Sequence, residues 1–139
     1  MDFTDKKVLI TGGSRGIGKA TAIAFAERGA QVAINFQKNS RAAKETINQL
    51  AGGGHFAAKA DISNPNAVQK LVEAVVSEFG EIDIVVNNAG IYAHHPVISS
   101  SYEKWQKEWS NHLNVNLIGA ANISYCVAHN MIKSGGGRI

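Results

Sequence analysis

Short apolar runs alternate with longer amphipathic stretches along this chain. Residues 8–11 form a compact aliphatic run, and residues 17–28 are Ala-rich with helical spacing before Gly29, a fitting C-terminal cap. Residues 31–36 predict a second strand. Asn39 or Ser40 can cap a helix that carries Ala43, Ile47 and Leu50 on one face and stops at the glycines 52–54. Residues 55–60 read as a third strand. Asn64 then sets an N-cap before Pro65 at the first helical position. Val68, Leu71, Val72, Val75, Val76 and Phe79 recur at three- and four-residue spacing until Gly80. Residues 83–87 predict a fourth strand, apolar throughout its centre because parallel strands are covered on both faces. Residues 103–117 and 120–133 predict two more helices. Trp105, Trp109 and Leu113 lie four apart on the first of these, the spacing of a core or subunit contact. Arg138 and Ile139, after three glycines, read as the first residues of a fifth strand.

Strands and helices in strict alternation with short connections imply right-handed parallel crossovers and an α/β, doubly wound parallel sheet of the Rossmann kind. Residues 1–139 are expected to form one domain, incomplete at its fifth strand, with no second domain.

Composition narrows the field. A 45% hydrophobic content with 18% charged residues suits a soluble globular chain. The net charge of +3 is mild and its cations are dispersed, which argues against nucleic acid or membrane as a partner. Cys126 is the single cysteine, so an internal disulfide and a Cys-based metal site are excluded; it is expected to be a buried, inert thiol. Residues 1–7 lack the apolar core of a signal peptide, and a cytoplasmic location is expected. His94 and His95 are adjacent on a loop with no evident third ligand, so no metal is expected.

The chemistry begins at the first turn. Residues 8–18 read Val-Leu-Ile-Thr-Gly-Gly-Ser-Arg-Gly-Ile-Gly, an apolar strand running into a glycine turn and then a helix. Such a turn lets backbone approach a pyrophosphate, while the helix N-terminus offers free N–H groups to its charge. Gly12 permits the tight turn, Gly16 the approach to phosphate, and Gly18 the packing of the helix on the sheet. The hydroxyl of Ser14 and the guanidinium of Arg15 can meet phosphate oxygens.

The spacing T-G-x-x-x-G-I-G from Thr11 to Gly18 resembles that of the short-chain dehydrogenase/reductase family, especially members similar to the 3-oxoacyl-carrier-protein reductases. Three further segments carry the resemblance in order: Asp61-Ile62 after the third strand, Asn87-Asn88-Ala89-Gly90 after the fourth, and Asn114-Val115-Asn116 on a later helix. The resemblance implies that Gly12, Ser14, Arg15, Gly16, Ile17 and Gly18 face a dinucleotide. Asp61 and Ile62 would meet its adenine, and Asn88, Ala89 and Gly90 its ribose and nicotinamide. Asn87 is expected to tie the strand end to a neighbouring loop. An NAD-type site needs a carboxylate at the end of the second strand; Asn35, Phe36 and Gln37 stand there instead. Arg15, with Lys38 or Arg41, can serve a 2′-phosphate, so NADP(H) is expected in preference to NAD(H).

In that family a Tyr protonates the carbonyl, a Lys four residues on lowers its pKa, a Ser orients the substrate, and an Asn keeps a water-linked proton path. Asn116 matches the Asn. Tyr92, Tyr102 and Tyr125 are followed four residues later by Pro96, Gln106 and His129, so no Tyr-x-x-x-Lys pair occurs. The expected role is therefore the N-terminal, cofactor-binding part of an NADP(H)-dependent carbonyl reductase or alcohol dehydrogenase, acting on a small-molecule substrate such as a 3-oxoacyl thioester. A catalytically inactive NADP(H)-binding module and a nonfunctional fragment stay open as alternatives. The resemblance also implies a homo-oligomer built through residues 103–117 and 120–133.

Overall fold

In the computed structural model, which describes residues 1–139, the elements run β1 (Lys7–Ile10), α1 (Gly16–Ala26), β2 (Gln31–Phe36), α2 (Ser40–Ile47), β3 (Phe56–Lys59), α3 (Pro65–Phe79), β4 (Ile84–Val86), α4 (Tyr102–Leu113), a π-helical turn (Asn114–Gly119) and α5 (Ala120–Ser134). The four strands form one parallel sheet in the order β3-β2-β1-β4. The chain therefore winds outward through β2 and β3, then crosses back to place β4 beside β1. This reversal opens a crevice at the carboxyl ends of β1 and β4.

Period-two alternation splits the strands between two cores. Val8, Ile10, Val32, Ile34 and Phe36 pack with Ala22, Ala26, Ala43 and Leu50 on the α1/α2 face. Leu9, Ala33 and Val85 pack with Val68, Leu71, Val72, Val75, Ile123, Val127 and Met131 on the α3/α5 face. Cys126 is half-buried against the second core, and burial pushes its thiol pKa up, with Glu73 adding to the shift. That fits an unreactive sulfur.

Asp83 clamps the amino ends of β1 and β4. Its carboxylate accepts from Lys6 Nζ and from the Lys7 backbone N–H, each at 2.8 Å. Burial alone would push this carboxyl up; the Lys6 ammonium and the Lys7 amide outweigh it and hold it below the usual range. Arg138 pairs in parallel with Ile84 on the outer side of β4, as expected for the opening of a fifth strand.

Several boundaries differ from expectation. Residue 55 is not strand: the His55 ring takes the Val32 amide on Nδ1 (3.0 Å) and reaches Ala51 O through Nε2 (2.8 Å), closing the turn before β3. The two helices expected at 103–117 and 120–133 are one continuous rod with a π turn in its middle. Gly119 does not break it, since its φ of −58° and ψ of −47° are helical. Its missing side chain serves a close approach instead: a Cβ there would lie 3.0 Å from Ile62, where the rod crosses the end of β3. None of α4 is buried; Trp109 and Leu113 are each 46% exposed, so their spacing marks a free surface rather than core.

Candidate functional site

The crevice at the sheet switch point holds about 490 Å³, within the usual size range of small-molecule sites. Its walls come from four strand-end connections and from Val115 of the π turn. The β1–α1 turn contributes Gly12, Ser14, Arg15, Gly16 and Ile17; the end of β2 contributes Asn35, Phe36, Gln37 and Lys38; the end of β3 contributes Asp61 and Ile62; the end of β4 contributes Asn88, Ala89 and Gly90. The structure thus brings together every residue expected to face a dinucleotide except Gly18.

Gly18 sits behind the turn and shapes it. A Cβ on Gly18 would lie 2.4 Å from Gly12 O and 2.5 Å from Asn88 Nδ2. Its bareness thus allows the helix to approach the turn itself rather than the sheet. Gly12 has a φ of +66°, and a Cβ there would press Ala89 Cα at 2.9 Å. Gly16, with a φ of +56°, faces open space, since nothing lies within 4 Å of its Cβ direction. Open space above a positive-φ glycine at a helix start is what a bulky anion needs.

The start of α1 is chemically unfinished. Arg15 occupies the N-cap with extended backbone and makes no side-chain cap bond, and the first turn holds no acid. Its free N–H groups and the positive end of the helix dipole are available to an anion. Arg15 and Lys38 are both exposed on the crevice wall. Arg41 is not part of that wall; it pairs with Glu45 at 2.9 Å.

Hydrogen bonds, most of them invisible in the sequence, hold the turn in place. Thr11 Oγ1 accepts the amides of Asn88 and Ala89, both at 3.0 Å, while Asn88 Nδ2 donates to Thr11 O (2.9 Å) and Gly12 O (3.2 Å). Asn88 therefore lines the crevice while its amide is committed to the glycine turn. Asn87 donates to Ser124 Oγ at 2.9 Å, tying β4 to α5 rather than to a loop. Thr11 was legible as the end of an apolar run and the first residue of the glycine-turn motif, but the role of its buried hydroxyl was not. Asn35 is buried at 3% exposure, with Nδ2 donating to Ala60 O at 3.1 Å and weakly to Ala58 O and Phe36 O. It stitches β2 to β3, leaving Gln37 and Lys38 as the exposed polar groups at that rim.

Asp61 is the crevice's single lining acid. The Ser63 hydroxyl at 2.7 Å and the Ser63 amide at 3.0 Å hold its carboxyl below the usual range, with Gln37 and Lys38 contributing. It stays ionised as an acceptor near neutrality. Asn116 lies just outside the crevice and grips the loop that follows β4: its Oδ1 accepts the Ile91 amide (2.8 Å) and its Nδ2 donates to Ile91 O (2.9 Å). His95 comes close to His112, but no group of three His, Cys, Asp or Glu side chains that could hold a metal occurs. No helix is long and apolar enough to cross a membrane.

The comparisons with known proteins agree with this geometry. The short chain dehydrogenase family model matches residues 6–139. A short-chain dehydrogenase/reductase homolog, YusS of Bacillus subtilis, is 44% identical over 99 residues, which cover 70% of this chain and 91% of that protein. A 3-oxoacyl-[acyl-carrier-protein] reductase of Synechocystis is 36% identical over 99% of this chain and 55% of its own length. Among solved structures, an NAD+-bound xylitol dehydrogenase superposes with a TM-score of 0.87 at 30% identity, over 100% of this chain and 53% of that one. A Burkholderia cenocepacia short chain dehydrogenase in complex with NADP gives 0.81 at 33%, over 94% and 52%. The chain thus spans about half the length of the reductase and of both solved structures. Neighbours carrying either nicotinamide cofactor share the fold, and the chain belongs to the short-chain dehydrogenase family.

Proposed function

We propose that residues 1–139 are the dinucleotide-binding domain of an NADP(H)-dependent carbonyl reductase or alcohol dehydrogenase. The observation that carries this reading is the uncapped start of α1 beneath the open face of Gly16, flanked by Arg15 and Lys38. The backbone amides there would take the pyrophosphate, and Ser14 would add a hydroxyl. Arg15 and Lys38 would take a 2′-phosphate, a preference supported by the absence of any acid at the end of β2. Asp61 and Ile62 would meet the adenine, and Asn88, Ala89 and Gly90 would border the ribose and nicotinamide. When bound there, the cofactor would give hydride to a carbonyl or take it from an alcohol.

Asn116 would serve the reaction itself by holding the Ile91 backbone beside the nicotinamide end. The proton donor is not among these residues: no Tyr is followed four positions later by Lys. The exposed apolar face of the α4–α5 rod, with Trp109, Leu113, Leu117 and Ile118, supports self-association through 103–117 and 120–133. A small-molecule carbonyl or alcohol is the substrate class, with a 3-oxoacyl thioester favoured by the similarity to the Synechocystis reductase.

A second reading, a nucleotide-binding module without catalysis, is favoured by the Bacillus subtilis homolog, 91% of which is covered by the match. Calorimetric titration of the purified chain with NADPH and NADH at matched ionic strength tests both. NADPH binding tighter by about tenfold supports the cofactor assignment, and equal affinities overturn the preference. Absence of NADPH oxidation with a carbonyl substrate is expected for these 139 residues.

A further inference from the structure

The loop leaving the crevice after Gly90 is held to the end of α4 and the π turn that follows it by two side chains four residues apart. Asn116 takes both polar groups of Ile91, and His112 Nε2 accepts the Ala93 amide at 2.9 Å. The registers match: four helical residues advance about 6 Å and two extended residues about 6.6 Å, so positions 116 and 112 meet positions 91 and 93. His112 Nδ1 contacts Glu108 O at 2.5 Å; a carbonyl only accepts, so Nδ1 carries the proton. That leaves Nε2 bare, the one form that can receive the Ala93 N–H. From the other side, His95 Nδ1 donates to Ala93 O at 2.6 Å.

We propose that His112 is a positioning residue, a latch that in its neutral form holds the Ile91–His95 loop against α4 at the mouth of the crevice and releases it on protonation. Once Nε2 also bears hydrogen, two donors face each other and the Ala93 amide loses its acceptor. His95 differs: its Nδ1 stays a donor in either charge state, so its bond to Ala93 O survives. The ionisable groups facing His112 are His95, with ring centroids 5.2 Å apart, and Tyr92 at 6.0 Å from the loop, with Glu108 one turn back on its own helix. A second positive charge on His95 pushes in the same direction as the lost bond. The latch's bearing on cofactor or substrate rests on the function proposed above; the contact itself does not.

Two NMR measurements on the 139-residue chain test it. Imidazole 15N shifts of His112 near pH 8 are expected to report the Nδ1–H tautomer. Protection of the Ala93 amide, corrected for intrinsic exchange, is expected to fall roughly two- to tenfold once acidification protonates the His112 ring. His112→Gln presents an oxygen where Nε2 stood and should keep that protection at every pH, while His112→Phe should lack it throughout. An Nε2–H tautomer, pH-independent protection in the wild type, or the same pH dependence in His112→Gln would overturn the latch. NADPH affinity of wild type relative to His112→Gln, which cancels the ligand's own titration, should fall by a similar factor. If Ala93 behaves as expected and neither protein binds NADPH, the latch stands and the cofactor assignment is wrong.

Discussion

Four helices of this chain start from an ordinary loop, and three of them finish their first turn with a side chain. Asn39, Asn64 and Ser101 accept the amides of Ala42, Ala67 and Lys104 at the starts of α2, α3 and α4. The start of α1 has no such cap; an arginine stands at the cap position and a positive-φ glycine opens the space in front of it. A cap contributes about 1 kcal/mol to stability, so α1 forgoes at its start what its neighbours keep. The amides that caps satisfy elsewhere are left without a side-chain partner here, the difference that the proposed function expects between a structural helix end and a binding one.

The most severe way to break the contrast is Gly18→Ala. The new methyl collides with Gly12 O and Asn88 Nδ2. A loss of about 3 kcal/mol in urea unfolding is expected, together with loss of nucleotide binding. Arg15→Asp sharpens the comparison by turning α1 into a capped helix. The backbone at position 15 is already extended, as a cap requires. The variant should gain about 0.5–1 kcal/mol of stability while NADPH affinity falls roughly a hundredfold. A variant that gains stability and keeps its affinity would show that the open helix start plays no part in binding. Asn64→Ala is the control at a finished end. It should cost about 1 kcal/mol in unfolding and leave nucleotide affinity unchanged.

The smallest expected effect is on acid stability. Asp61 and Asp83 are both held below their ordinary value of 3.8 in the folded chain. A carboxyl with a depressed folded pKa contributes stability that is fully present above its unfolded value and lost as pH falls through the folded one. The urea midpoint should therefore be flat through the carboxylates' ionised range and decline below about pH 4. Asp83→Asn, which removes the charge that Lys6 and Lys7 hold, should shrink that decline.

Much of this was legible in the residues because short-range rules govern it. The Asn64-Pro65 start and the Gly80 stop of α3 depend on local backbone chemistry, and both appear where the pattern places them. The aliphatic alternation in β1 and β2 allocates side chains to two cores without reference to anything distant. The glycine turn is readable for the same reason, since positive φ at Gly12 and Gly16 is a property of single residues. Gly119 illustrates the opposite case. A glycine between two helical patterns reads as a break, but its role is set by Ile62, which lies far away in sequence and close in space.

The sequence by itself determined the alternation of strands and helices, the positive-φ glycine turn after β1, and the family to which the chain belongs. Only the tertiary structure decided which polar groups remain free. Asn88 and Asn35 spend their amides on backbone carbonyls of other segments, and Thr11 collects the amides beyond β4. His112 takes its tautomer from a carbonyl one turn back and its partner from a loop 19 residues away. Hydrogen bonds formed across the sheet are fixed by where the folded chain returns, and spacing along the sequence carries no record of that.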